Sequence, residues 1–192
     1  FDTKGEVMWT IPTVTHNHLV IVTGDRGNIR AFSENGKLVW ESNIGGGART
    51  AVVVGPEKQL YVSAKNHIYK IDNYNGNIIW KTDLQKPIPM GSFISTSNRY
   101  IYLNTGGNSI KIDIKMGEES TLGNGFSFLA SPIIHKRFLI GKKNRNLSLY
   151  NTSNNELTER HTIKFTTPCI SSQGLVFTHA VEGEIQAFDL IQ

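Results

Sequence analysis

The sequence predicts an all-β fold, a β-propeller of about five blades with four antiparallel strands in each blade. Three observations predict it: short alternating apolar segments fill the chain, segments with a helical period are missing, and the pattern repeats about every 40 residues. The third strands of successive repeats end 39, 41, 38 and 38 residues apart, at Phe32, Ile71, Ile112, Tyr150 and Phe188. This spacing is typical of propeller blades.

Each repeat contains four candidate strands that alternate between apolar and mixed positions, as expected for a sheet packed between two neighbouring blades. Inner strands are predicted at 12–15, 51–54, 91–95, 131–134 and 167–171, and second strands at 19–23, 59–64, 100–104, 138–141 and 175–178. Third strands are predicted at 28–32, 67–71, 109–112, 146–150 and 184–188, and outer strands at 37–40, 77–80, 118–121 and 156–159.

Composition restricts the class of protein. The chain has 192 residues, of which 39% are apolar and 19% charged, and this is ordinary for one globular domain over residues 1–192. No apolar run approaches the roughly 18 residues of a membrane-spanning helix. The net charge of +4 is dispersed, so we expect no contiguous basic surface for nucleic acid. A lone cysteine, Cys169, excludes an intrachain disulfide.

One phrase recurs where a third strand turns into an outer strand. It runs from Lys70 to Trp80, with copies at residues 31–40 and 1–9. We expect Asp72 to accept backbone N–H bonds in the turn, Gly76 to supply a positive φ, and the tryptophan to cover the seam between blades.

The fifth repeat has no outer strand of its own, and the copy at the start of the chain could supply one. We therefore expect Gly5 to Trp9 to pair with the last blade and close a five-blade ring, which would leave no exposed sheet edge. Two alternatives stay open, five blades of a larger propeller and an open stack of sheets. The spacing weakens closure, because three residues separate Trp9 from Pro12 whereas ten separate Trp40 from the matching Thr50.

The phrase small-aromatic-Asp-x-x-x-Gly-x-x-x-Trp resembles the repeat of the pyrroloquinoline-quinone-like β-propellers. The resemblance covers essentially the whole chain. The third repeat keeps Asp113 and Gly117 of the motif but lacks the tryptophan, and the fourth repeat differs most from the motif. The family includes calcium-containing quinone-dependent dehydrogenases, non-catalytic scaffolds such as the outer-membrane assembly lipoprotein, and extracytoplasmic sensor domains. The resemblance implies an extracytoplasmic or periplasmic location. No residue matches the quinone or calcium site, so no cofactor is expected.

Three local clusters of histidine, glycine and basic residues are candidate functional sites, but none is assigned a catalytic or binding role. His16 and His18 could share a strand face and hold a metal, but no third ligand is near in sequence, so we interpret them as inert. Gly45 to Gly47 indicate a close backbone approach. The charges of the fourth repeat divide between two hairpin turns at opposite ends of the blade and indicate a solvated surface: Lys136, Arg137, Lys142, Lys143 and Arg145. No catalytic, cofactor-binding or metal residue is assigned.

The function predicted from these observations is non-catalytic: a propeller that binds a protein partner or acts as a scaffold. Propellers carry function in face loops and in the central channel. The longest loops, 41–49 and 81–90, are the expected contact elements. A fragment of a quinone-dependent dehydrogenase and an extracytoplasmic sensor domain are the alternatives, and the sequence does not indicate an oligomeric state.

Overall fold

The computed structural model describes residues 4–8, 10–106, 108–123, 125–128, 132–143, 146–162, 165–170, 175–180 and 185–189. These residues form twenty β-strands in five antiparallel sheets, and the described ranges contain no helix. Each sheet is one blade, so the predicted all-β propeller architecture with about five blades is confirmed.

The first three blades are complete four-stranded sheets in which sequence neighbours pair. The first comprises β1 (Thr13–Val14), β2 (Val20–Thr23), β3 (Asn28–Phe32) and β4 (Leu38–Asn43). The second comprises β5 (Val53–Val54), β6 (Leu60–Ala64), β7 (His67–Ile71) and β8 (Ile78–Asp83). The third comprises β9 (Ile94–Thr96), β10 (Tyr100–Thr105), β11 (Asn108–Asp113) and β12 (Glu119–Thr121).

The last two blades depart from this plan. The fourth comprises β13 (Phe126–Ser127), β14 (Ile133–His135), β15 (Phe138–Lys143), β16 (Asn146–Asn151) and β17 (Glu156–Thr162), with β13 and β14 both paired to β15. The fifth comprises β18 (Phe165–Ile170), β19 (Leu175–Ala180) and β20 (Ile185–Asp189). Within the described part of the chain, this blade has no outer strand, as the sequence predicted.

The outer strands of the first two blades are longer than predicted. β4 continues past Trp40 until Asn43 lies opposite Asn28, and β8 continues until Asp83 lies opposite His67. The alternating apolar pattern ends near the tryptophan, but backbone hydrogen bonding to the third strand does not require apolar side chains. The side-chain pattern therefore underestimates the length of these strands, which continue further at their C-terminal ends.

Apolar side chains from facing blades fill the seams, which form the core of the protein. Ile21 and Ile29 of the first blade pack with Val62 and Ala64 of the second. Further clusters fill the second-to-third, third-to-fourth and fourth-to-fifth seams. The second, third and fourth blades thus each contribute apolar side chains to two seams.

The repeated tryptophan joins one blade to the next, as predicted. Trp40 Nε1 donates to the backbone oxygen of Asn73 at 3.0 Å, and Trp80 Nε1 donates to that of Ile114 at the same distance. Gly76 has a φ of 75°, and a Cβ added there would lie 2.5 Å from the Trp40 ring. The glycine of one blade is therefore required both by its own turn and by the tryptophan of the blade before it.

The acidic residue of the motif organises the same turn. Asp72 Oδ1 accepts from the N–H groups of Tyr74 (2.8 Å) and Asn75 (3.2 Å). Asp113 Oδ1 repeats the arrangement in the third blade, accepting from Lys115 and Met116. The predicted role of the aspartates is confirmed, because each satisfies backbone donors that the turn leaves unpaired.

The predicted pairing of Gly5 to Trp9 with the last blade is wrong for residues 5–8, which lie against the first blade. Met8 lies opposite Gly24 in an antiparallel bridge, and the N–H of Asp25 donates to the Val7 oxygen at 3.0 Å. Residues 4–8 therefore lie against the β2–β3 hairpin of the first blade, and in the described ranges β20 pairs with β19 alone. Trp9 lies outside the described residues.

The N-terminal segment occupies the position of a crossover and not that of an outer strand. In the second blade Ala48 makes the equivalent bridge to Ala64, directly before the inner strand. Gly5 matches Gly45 in this alignment, and their φ values are 75° and 74°. The short distance from Trp9 to Pro12 has a simple explanation, because residues 4–8 already belong to the segment that leads into β1.

Candidate functional site

The hairpin connections divide between two ends of the blades. Turns from second to third strand lie beside the crossovers, since Ile44 N–H donates to the Gly27 oxygen (2.9 Å) and Leu84 N–H to the Asn66 oxygen (2.8 Å). We call this end the crossover face. The first-to-second and third-to-outer turns lie at the opposite end, which we call the turn face.

The two loops expected to contact a partner, 41–49 and 81–90, lie at the crossover face, and four of their apolar residues point inward whereas Met90 is exposed. Ile44, Ala48, Leu84 and Ile88 are buried in the seams. The close backbone approach predicted for Gly45 to Gly47 is present, because a Cβ on Gly47 would lie 2.6 Å from the Asp25 oxygen. These loops are therefore anchored to the blades over much of their length.

Exposed apolar side chains appear where the crossovers enter the inner strands. Ile11 is 75% exposed, Met90 44% and Phe93 49%. Together with Arg49 they border a cavity of about 150 Å³, and the Gly91 N–H donates to the Arg49 oxygen at 3.1 Å. We call Ile11, Met90 and Phe93 the apolar cluster. Sequence reasoning placed contact in the loops, one of which ends at Met90, but did not single out these three residues, which come from two separate repeats.

The two histidines of the His16–His18 pair lie at the surface of the first blade. His18 Nδ1 lies 2.9 Å from Glu34 Oε1 with both side chains exposed, and His16 is exposed as well. Across the described residues, no group of three or more His, Cys, Asp or Glu side chains could hold a metal ion. The same residues include no helix long and apolar enough to cross a membrane.

The basic residues of the fourth blade separate as expected. Lys136 and Arg137 lie in the β14–β15 turn, whereas Lys142 and Lys143 end β15, where Lys143 pairs with Glu159 at 3.2 Å. Arg145 lies outside the described residues. What the sequence did not indicate is that Lys136 faces a cavity shared with Lys111 of the third blade.

This arrangement of blades and motifs defines a β-propeller of pyrroloquinoline-quinone-like repeats. A family model described as outer membrane protein assembly factor BamB matches residues 2–192, so the chain belongs to that family.

Two solved structures share the fold. BamB from Moraxella catarrhalis superposes with a TM-score of 0.73 at 12% identity, and the match covers 96% of this chain and 62% of that one. The Cps50 (Swd1) propeller domain of Myceliophteria thermophila superposes with a TM-score of 0.67 at 10% identity, covering 96% and 67% of the two chains. At these identities the likeness concerns the fold alone.

A curated protein is similar over a shorter region. A tetrathionate hydrolase from Acidithiobacillus ferrooxidans is 31% identical over 83 residues, which cover 42% of this chain and 16% of that protein. The chain therefore spans under two thirds of the BamB structure and a small part of the hydrolase.

Proposed function

We propose that residues 1–192 form one propeller domain that binds a protein partner without catalysing a reaction. The observation that carries the proposal is the apolar cluster at the crossover face, Ile11, Met90 and Phe93, which border one cavity while remaining exposed. Single exposed apolar residues are common, but three around one concavity favour a protein contact. Membership of the BamB family supports this choice.

The surroundings of the cluster suit a binding surface. Backbone hydrogen bonding between Gly91 and Arg49 ties the third blade to the crossover that enters the second, so the cavity has a defined wall. Ile44 and Leu84 anchor the crossovers in the seams. A rigid apolar surface loses little conformational entropy on binding, which favours affinity.

The experiment is site-specific photocrosslinking in the organism that makes the protein, with a photoreactive phenylalanine analogue at Phe93. The matched control is the same analogue at Ile79, which is 48% exposed on the outer strand of the second blade, away from the cluster. A discrete adduct from position 93 and none from 79 is expected. Equal crosslinking from both positions, or from neither, would contradict the proposal.

A hydrolytic function is the second candidate, and the similarity to a tetrathionate hydrolase favours it. The test is to incubate the chain with tetrathionate and follow thiosulfate and sulfate release. Dye-linked alcohol oxidation in the presence of pyrroloquinoline quinone and calcium, with the dye as the electron acceptor, tests the quinoprotein alternative in parallel. Sustained turnover in either assay would overturn the non-catalytic proposal.

A further inference from the structure

A cavity of about 600 Å³ opens on the turn face, at the seam between the third and fourth blades. Its wall combines the β9–β10 turn and β11 of the third blade with the β14–β15 and β16–β17 turns of the fourth. The lining residues that matter chemically are three cations and a set of hydrogen-bonding side chains: Arg99, Lys111, Lys136, Ser97, Ser153 and Asn155. No acidic side chain is among the described residues that line it.

Lys111 is held at a defined position in this cavity. Its Nζ lies 5.0 Å from the Tyr100 ring centroid and 5.8 Å from that of Tyr150, so the two rings flank the ammonium. The same Nζ donates to Asn155 Oδ1 at 2.8 Å, and Tyr150 Oη donates to that oxygen at 2.7 Å. Asn155 adopts a φ of 59°, and its Oδ1 accepts from both donors. The lysine is thus preorganised by neutral groups.

The positive charge of the cavity is only partly balanced. Asp113 faces Arg99, with 3.5 Å between Arg99 Nε and Asp113 Oδ2. The Arg99 guanidinium also lies 5.0 Å from the Tyr100 ring centroid, on the same ring that Lys111 approaches. Burial, and after it the charge of Arg99, lower the pKa of Lys111. A bound anion would oppose both effects, because a nearby negative charge favours the charged form of the lysine.

The available donors suit a small polyanion better than a long chain. Two cations approach one ring from the third blade while Lys136 and the Ser153 turn come from the fourth, so donors converge from two sides. A polyanionic chain would need basic residues continuing along the surface, but Arg137 is the one other described basic residue of the fourth blade at this face, since Lys142 and Lys143 end β15 at the opposite face.

We propose that this seam cavity binds a tetrahedral oxyanion, a free phosphate or sulfate ion or the corresponding group of a small molecule. Lys111 supplies the fixed charge, and Arg99 and Lys136 close around the anion from opposite blades. The hydroxyl groups of Ser97 and Ser153 are the neutral donors. Because the anion would contact both blades, it would also stabilise their seam.

The test titrates the intact chain with sodium phosphate and separately with sodium sulfate, using sodium chloride of equal ionic strength as the reference. Backbone amide chemical shifts locate the response, and thermal unfolding reports stabilisation. We expect saturable shifts confined to residues near Tyr100, Lys111 and Ser153, and a higher Tm with either oxyanion. Comparing the two anions distinguishes a phosphate site from a sulfate site.

Variants connect the response to the cavity. Lys111→Gln should weaken binding about tenfold or more, as loss of a charge-assisted hydrogen bond does. Lys37→Gln is the matched control, because Lys37 is an exposed lysine in the third-to-outer turn of the first blade, on the same face. If Lys111→Gln alters the fold, anion binding is measured instead with the double variant Arg99→Gln and Lys136→Gln. Both of these residues are exposed. Responses no larger than with chloride, or weakening by Lys37→Gln equal to that by Lys111→Gln, would overturn the proposal.

Discussion

Glu6 Oε2 lies 3.3 Å from Arg30 Nη1, and the two side chains are only 3% and 4% exposed. This buried ion pair joins the segment before β1 to the third strand of the first blade. Glu41 completes the pairing, since its Oε1 accepts from Arg30 Nε at 3.0 Å and its Oε2 pairs with Lys4 at the same distance. Asn28 donates to Glu6 as well. Ion pairs of Lys4 and Glu6 therefore attach this segment to the first blade, in addition to the backbone pairing of Val7 and Met8.

Removing the Glu6 charge should destabilise the protein. Glu6→Gln removes one acidic partner of the buried Arg30 while Glu41 stays paired with it, and we expect a loss of about 1–3 kcal/mol in the free energy of unfolding, below the full cost of an unpaired buried charge. Urea denaturation measures it. Glu118→Gln, at an exposed acid, is the control and should change stability by less than about 0.5 kcal/mol. Equal effects of the two substitutions would contradict the role assigned to Glu6.

The same network predicts a pH dependence. The hydrogen bond from Lys4, followed by that from Arg30, lowers the pKa of Glu41 from its ordinary value of 4.5. A carboxyl whose pKa is lower in the folded state stabilises the fold above the unfolded pKa, and this contribution is lost as the pH falls through the folded pKa. Unfolding free energy should therefore decrease on acidification below about pH 4.5. Glu41→Gln should make this decrease shallower, whereas Glu118→Gln should not.

The contact between Gly76 and Trp40 allows a controlled comparison. Gly76→Ala adds a methyl group against the Trp40 ring and also strains a backbone with positive φ, whereas Gly45→Ala, at nearly the same φ, meets no atom within 4 Å. Strain alone should cost about 1–2 kcal/mol at both positions. Overpacking should add about 1–3 kcal/mol at Gly76. Thermal unfolding of both variants measures the difference in stability. Equal losses of stability would show that the Trp40 ring moves to accommodate the added methyl group.

Two buried tyrosines should respond in opposite ways to loss of the hydroxyl. Tyr69 Oη donates to the Ile44 oxygen at 2.7 Å, so Tyr69→Phe leaves a buried carbonyl without this donor and should cost about 1 kcal/mol. The Tyr61 hydroxyl is buried without a hydrogen-bond partner among the described residues. Tyr61→Phe should therefore be neutral or stabilising. Chemical denaturation distinguishes the two, and a larger loss from Tyr61→Phe would contradict this interpretation.

Much of the fold could be predicted because a blade is defined by local pattern. The strands around Ile71 and Ile112 follow from alternation, and the roles of Asp72 and Gly76 follow from turn chemistry within a few residues. Even the contact of Trp40 with the next blade was predictable, since a repeat places equivalent residues at a regular spacing. The apolar cluster was only partly predictable, because the loops were indicated but Phe93 and Ile11 were not.

The seam cavity could not be predicted for a different reason. Lys111 and Lys136 belong to separate repeats, and neither lies in a motif that indicates binding. Their convergence depends on how the third blade packs against the fourth and on the turn at Asn155 that positions Lys111. Sequence spacing within one blade contains no information about which charges of two blades share a concavity.

The sequence by itself determined the repeat, the four-stranded blade and the turns that end each third strand, because alternation and local hydrogen bonding act over a few residues. The tertiary structure decided where residues 4–8 lie. Their glycine, followed by Trp9, resembles the motif of an outer strand, but pairing of Met8 with Gly24 and burial of Glu6 against Arg30 place residues 4–8 at a crossover. A buried charge is stable only beside its counter-charge, and the position of that counter-charge depends on the folded blade.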